Sequence, residues 1–353
     1  MKVNLQTTLF QNSKISNQIK NYVFGILHTI ERKTCSSMSR YSGIAYSKLA
    51  AFTDNAVENA KSIRSFLIDQ AQELSSNDEE CELVIDFTQQ KKPYAYNIEQ
   101  LCYDHNGCSN RVEKGLSIGV CAIISKNKLI PIDFKNWIQK KICELAGIAY
   151  VKKNDLAKEI IKSLPTKIKY RYLLLDGAFA TRDFLTFLIE LDQKFIMRIA
   201  SNRVIKTLDG VEAQLKEHSA LKLKFNEKFK TVEGFYKGIR CFFTAHKRKG
   251  KNGESEIVFI VSNVEMAAKE YVEHYSDRSG IEAFFRTCKQ SLGLNDCQML
   301  SAEKQEVHIL AIFVAYTFLE DEKIAKQKKC PEDIIHAIRR AWLSEKPYDT
   351  TVH

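Results

Sequence analysis

Four residues in the stretch YSDRSGIEAFFRTCKQ, residues 275–290, are of types that handle phosphate and metal: Tyr275, Arg278, Glu282 and Lys289. On an ideal helix of ~3.6 residues per turn they fall within roughly 60° of one another, in a row ~21 Å long. Arg286 projects onto the same face, while Ile281, Phe284, Phe285, Cys288 and Leu292 take the neighbouring one. A carboxylate among two cations and a phenol has a plain reading, a solvated face with helical ion pairs. The sharper reading is that the cations and phenol grip a polyanion while the carboxylate holds a metal ion.

Two further acids suit such an ion. Asp86 ends the strand-like CELVIDF (81–87), and Asp176 ends the strand in YRYLLLDGAF (170–179). A carboxylate at the edge of a sheet core is costly unless paired, hydrogen-bonded or metal-bound. Taken singly, an Asp at a strand end is more often a turn former or helix cap. Two from adjacent strand ends, joined by Glu282 from a helix alongside, make an all-oxygen site for Mg²⁺ or Mn²⁺. Two such ions ~4 Å apart activate a nucleophile and stabilise the leaving oxygen of an in-line phosphoryl transfer. Asp104, Asp133, Asp183 and Asp192 lack that combination and read as surface or capping residues. CYDHNGC puts Cys102, His105 and Cys108 three apart, but structural zinc wants four ligands and no partner pair stands nearby. It reads as a loop with incidental thiols.

The elements that must position these residues follow from periodicity. NQIKNYVFGILHTIER and the segment from Thr34 to Ala71 read as helices broken at YSG and TDN, either a helix-turn-helix or a plain bundle. ELSSNDEE (73–80) reads as a linker. CELVIDF, GLSIGVCAIIS and KLIPIDF are strands, the last two joined by KNK. KKNDLAKEIIKSL is a helix, YRYLLLDGAF a buried strand, TRDFLTFLIEL a helix and KFIMRIA a strand. LKLKF, FYKGIRCFFTAH and EIVFIVSN make residues 200–262 a mostly β segment with a basic hairpin, and HILAIFVAYTFLE and PEDIIHAIRRAWLS close the chain as helices.

With 353 residues, 44% of them hydrophobic, the chain buries a real core in more than one domain. Its net charge of +10 is unevenly spread. Residues 1–50 hold seven Lys/Arg against Glu31 alone, and residues 198–262 fourteen against seven acids. Such patches favour a phosphate backbone or an anionic membrane surface. The longest apolar run, ILAIFVAYTFL (309–319), falls short of the ~20 residues a spanning helix needs, so no membrane partner is expected. The N-terminus lacks a signal-peptide core, and ten cysteines then read as reduced thiols in a cytoplasm.

YSDRSGIEAFFRTCK fits Y-x-x-R-x-x-x-E-x-x-x-x-x-x-K at every fixed position, and DGAF surrounds Asp176. On these residues the chain resembles the DDE transposases of the insertion-sequence-four group. The resemblance covers roughly residues 81–320 and implies an α/β fold. Its ribonuclease H-like catalytic core, a mixed sheet flanked by helices, would be interrupted by a mostly β insertion and preceded by a helical domain. The implied divisions are an N-terminal DNA-binding domain (1–80), the first part of the core (81–199), the basic insertion (200–262) and the second part with the Glu-bearing helix (263–353). Asp86, Asp176 and Glu282 would be the catalytic, metal-binding triad, holding two Mg²⁺ or Mn²⁺ ions. Tyr275, Arg278 and Lys289 would contact phosphates near the scissile bond; Arg286, placed by helix geometry alone, reads either as an extension of that grip or as a solvated arginine.

The implied reaction is hydrolysis at transposon ends followed by attack of the freed 3′-OH on target DNA. The implied partners are double-stranded DNA, both terminal inverted repeats and target, and a second copy of the chain in a synaptic homodimer, at a bacterial nucleoid. Members of the group that form DNA hairpins use an aromatic, often Trp, in the insertion. Here Trp137 and Trp342 both lie outside it, while Phe235, Tyr236, Phe242 and Phe243 lie inside, so the hairpin route stays open. A ribonuclease H-like nuclease without strand transfer and a DNA-binding regulator without catalysis are the alternatives.

Overall fold

The computed structural model describes residues 15–106, 111–250 and 253–345. Among them eleven strands join one mixed sheet. Strand β1 (Glu82–Lys91) lies between β3 (Arg111–Ile124), antiparallel to it, and β5 (Leu173–Leu175), parallel to it. Long β3 also pairs with β2 (Cys102–Asn106) at its start and β4 (Leu129–Trp137) at its end. Parallel to β5 lies β6 (Phe195–Ile199), so strands β1 to β6 give the mixed sheet of a ribonuclease H-like core. The sheet does not stop there. Strands β7 (Val204–Thr207), β8 (Glu212–Gln214), β9 (Phe229–Tyr236), β10 (Ile239–Lys249) and β11 (Ser255–Ser262) continue it through the antiparallel β6–β11 pair.

Side-chain alternation along the strands divides the core between the two faces. Leu83, Ile85, Leu173, Leu175, Phe195 and Met197 pack with α6 (Lys153–Ser163) and α7 (Arg182–Glu190), which follow the short α5 (Lys140–Ala146). Val84, Leu174 and Ile196 face a second, larger cluster on the other side. That cluster includes α8 (Ala268–Asp277), α9 (Ser279–Gln290), α10 (Ala302–Ala325) and α11 (Pro331–Glu345). It also takes in the N-terminal helices α1 (Asn17–His28), α2 (Cys35–Ser42), α3 (Tyr46–Asp54) and α4 (Ala56–Asn77).

Helix α10 explains why. It is buried almost continuously from Val307 to Glu320, and a helix apolar all round needs neighbours on every side. Phe313 meets Phe134 of β4 at 5.7 Å between ring centroids, and Phe318 stacks on Phe66 of α4 at 5.9 Å. Tyr22 of α1 stacks on Phe52 at 4.1 Å and reaches His308 Nδ1 at 2.9 Å. No described helix is long and apolar enough to cross a membrane.

Several elements differ from the sequence reading. The stretch read as a linker, ELSSNDEE, is helical as far as Asn77. CYDHN is strand β2, with Cys102 buried, rather than loop; Cys108 lies outside the described residues. YRYLLLDGAF shrinks to three strand residues, and LKLKF forms no strand. FYKGIRCFFTAH is a tight β9–β10 hairpin, not one strand. Its turn residues Lys237 and Gly238 have φ of 51° and 84°, the positive values a two-residue hairpin loop requires.

Candidate active site

The last parallel pair of β1 and β5 is Ile85 with Leu175, so Asp86 and Asp176 are next in line on neighbouring strands. Strands ~4.8 Å apart bring their carboxylates close on the sheet face that carries Val84 and Leu174. Asp176 does end its strand, and its Oδ1 accepts from Gly177 N at 2.6 Å. Asp86 ends only the parallel pairing. Strand β1 runs five residues past it because β3 continues to pair, Asp86 lying opposite Val120.

Glu282 approaches from above this face, in the first turn of α9. The single helix expected across residues 275–290 is two, α8 and α9, interrupted at Arg278. There i to i−3 bonds, Arg278 N to Tyr275 O and Ile281 N to Arg278 O, replace the usual ladder. The interruption coincides with a bridge. Arg278 Nη2 donates to Asp86 Oδ2 at 2.8 Å, and Nη1 donates to Glu282 Oε1 at 2.6 Å. Arg278 is only 9% exposed, and its Nε is buried without a hydrogen-bond partner among the described residues.

The electrostatics follow from this crowding. Burial pushes the Asp86 carboxyl up to about 6, against the pull of Arg278, and repulsion from Asp176 and Glu282 adds to the rise. Burial also opposes the charge on Arg278, but Asp86, Tyr275, Asp176 and Glu282 outweigh it and raise its pKa. Tyr275 is pushed up to about 12, first by burial and then by Asp176 and Asp86 against Arg278 and Arg198, so its phenol keeps its proton.

Five of the residues singled out in the sequence thus converge: Asp86, Asp176, Glu282, Tyr275 and Arg278. Arg286 and Lys289 stand farther along α9, ~6 and ~10 Å beyond Glu282. Arg286 is exposed and lines a groove of about 780 Å³ with Lys126, Lys128, Lys323, Lys328 and Lys329. Arg198 was not foreseen. Leu175 pairs with Met197, which brings Arg198 beside Asp176 at the rim of a groove of about 430 Å³. Its signal was a lone cation inside the apolar run KFIMRIA. His274 is a second omission; its Nδ1 lies 2.5 Å from Oε1 of the buried Glu82, tying α8 to the start of β1.

The donor set fits a hard divalent cation: three carboxylates, no sulfur, and a half-buried Asp86 whose charge needs a cation beside it. In this arrangement the guanidinium of Arg278 provides that charge, and the described residues hold no ready-made cluster of three metal-binding side chains.

The mixed sheet is that of a ribonuclease H-like fold, with Asp86 and Asp176 side by side just past its parallel β1–β5 pairing. The chain matches the family model described as DDE superfamily endonuclease over residues 7–216, and that described as transposase DDE domain over residues 144–318. It belongs to the DDE superfamily endonucleases, with a function of the transposase type. Enzymes of this superfamily use divalent metals. A search of curated proteins finds no match to this chain.

Proposed function

We propose that the chain is a cut-and-paste transposase of the insertion-sequence-four group, cleaving DNA at its element's ends and joining the freed 3′-OH to target DNA. The observation that carries this reading is the bridge from Asp86 through Arg278 to Glu282, beside Asp176. Asp86, Asp176 and Glu282 would hold the divalent ions, two Mg²⁺ or Mn²⁺. When bound, such ions lower the pKa of water and offset charge on the leaving oxygen.

The chain's own residues do the rest. Arg278 balances the charge of Asp86 and Glu282. Its guanidinium is also of the type that pairs with a phosphodiester, the anion a DNA strand would bring to this face. Tyr275, protonated, donates a hydrogen bond to a phosphate oxygen. Lys289 and Arg286 extend the contact along the DNA backbone with sequence-independent affinity. The segment 1–80 is the end-binding region, 81–199 and 263–353 the catalytic core, and 200–262 the basic insertion. Two copies pair two element ends, on the DNA of a bacterial cytoplasm.

The test is cleavage and joining on a labelled duplex carrying the native element's end, with Mg²⁺ or Mn²⁺, comparing wild type with Glu282→Gln. We expect metal-dependent nicking at the element boundary and joined products, both falling at least ~100-fold in the variant. Cleavage without joining would favour a simple nuclease. Tight binding without cleavage under any metal would leave only a DNA-binding role.

A further inference from the structure

Between β1 and β2 the chain reads KPYAYNIEQ, residues 92–100, and presents two tyrosines almost wholly to solvent: Tyr94 is 88% exposed and Tyr96 83%. Tyr103 on β2 is 55% exposed and lies directly opposite Lys114 on β3. Lys114 in turn places its ammonium 4.1 Å from the centroid of the Tyr96 ring. Beside these rings is a hollow of about 400 Å³, lined among others by Arg32, Pro93, Tyr94, Tyr96, Ile98 and Leu300.

The segment is held firmly. Lys92 is buried, and its Nζ donates to the carbonyls of Asn295 (3.0 Å) and Cys297. Lys92 N donates to Lys114 O at 2.9 Å, and Glu99 N to Leu300 O at 2.9 Å. Glu99 Oε2 accepts from Ala302 N at 2.8 Å. The tyrosines therefore project from a loop stapled to the α9–α10 connection, and little ordering remains to oppose binding.

We propose that this surface stacks unpaired bases of a DNA strand leaving the active site, an inference that rests on the reading of the chain as a DNA-acting enzyme. Rings with free π faces beside cations are what a strand with unstacked bases requires: stacking for the bases, charge for the phosphates. Arg32 and Lys114 supply the charge, while Lys91 is paired with Glu113 at 2.9 Å. The location agrees. Strand β1 carries the chain from Asp86 to Lys91, ~17 Å at 3.3 Å per residue and roughly five nucleotides of a strand. The surface lies outside both the catalytic face and the strands of residues 200–262, where Phe235, Tyr236, Phe242 and Phe243 are buried or half-buried in the sheet; the exposed Phe225 stands apart from those strands.

The experiment measures binding of the full chain, without metal so that no cleavage intervenes, to a blunt duplex and to the same duplex with a short unpaired thymidine tail. A 2-aminopurine in the tail reports stacking by loss of fluorescence. We expect wild type to prefer the tailed duplex and quench the probe. Tyr94→Ala/Tyr96→Ala should lose about tenfold or more on the tailed duplex alone, and Tyr94→Phe/Tyr96→Phe should retain the preference. A wild-type protein that binds both DNAs equally and leaves the probe bright overturns the proposal. So does an alanine pair that weakens both DNAs alike, or one that changes only the protein's oligomeric state and so marks a contact between copies. Failure of wild type to bind either DNA would overturn the DNA-acting reading as well.

Discussion

Glu82 stands two residues before Val84 and four before Asp86, on the same face of β1, and is 1% exposed. One oxygen pairs with His274; the other is buried without a hydrogen-bond partner among the described residues. Burial pushes its pKa up to about 7, with His274 pulling the other way. The folded protein thus keeps this proton to higher pH than the unfolded chain does. Between about 4.5 and 7 the folded state binds more protons, so this group's contribution to stability falls as pH rises and is fully lost above 7. Glu82→Gln removes the dependence. Relative to wild type, the variant should gain roughly 2–3 kcal/mol between pH 5 and pH 8, with some weakening at both pH values from the altered His274 contact. Urea unfolding at the two pH values measures it, and a difference that does not change with pH would show that Glu82 ionises normally. Taking the difference against wild type matters because the buried His308, pushed down to about 4, titrates in the opposite sense across the same range. Its imidazole is favoured neutral when folded, so its contribution is lost as pH falls from about 6.5 towards 4.

Gly280 of helix α9 and Gly115 of strand β3 should respond oppositely to a methyl group. A Cβ at Gly115 would lie 2.2 Å from Gln90 O, a backbone atom that cannot move without opening the β1–β3 ladder. At Gly280 it would meet Ile124 Cδ1 at 3.4 Å, Leu129 Cδ1 at 3.7 Å and Ile124 Cγ2 at 3.9 Å, all ordinary contacts, and alanine is the better helix former. Gly115→Ala should cost ~1–3 kcal/mol or more in thermal or urea unfolding, and Gly280→Ala should be neutral or stabilising. Equal effects would mean the β1–β3 pairing is looser than described.

The same contrast marks what sequence could reveal. Helical periodicity with Ser and Gly boundaries located α1 to α4 and α6, and apolar runs located β1, β3, β4, β6 and β11, because those signals are local. Spacing and strand context put Asp86 and Asp176 on neighbouring strands with Glu282 on a helix alongside, but gave Arg278 to phosphates and not to Asp86. What stayed hidden depends on distant partners. The run of β1 beyond Asp86 is set by β3, and the break at Arg278 coincides with carboxylates on two elements. Arg198 reaches the site only because β5 and β6 are in register.

At the scale of the molecule, the N-terminal helices and the catalytic sheet share one apolar cluster, with α10 between them. A chain starting at Cys81 would uncover the faces of α10 that Tyr22, Phe52 and Phe66 now occupy or support. Such a truncation should lose its cooperative thermal transition and run as aggregate in size exclusion. A folded monomer instead would show that the helices form a separable unit. The burial of α10 also has a consequence in time. The helices α1 to α4 leave the ribosome roughly 225 residues ahead of the helix that covers them. At ~5–20 residues per second, their apolar side waits uncovered for roughly 10 to 45 s of every round of synthesis. Through that interval the nascent chain is a sticky intermediate, and the supply of finished protein depends on whatever shelters it.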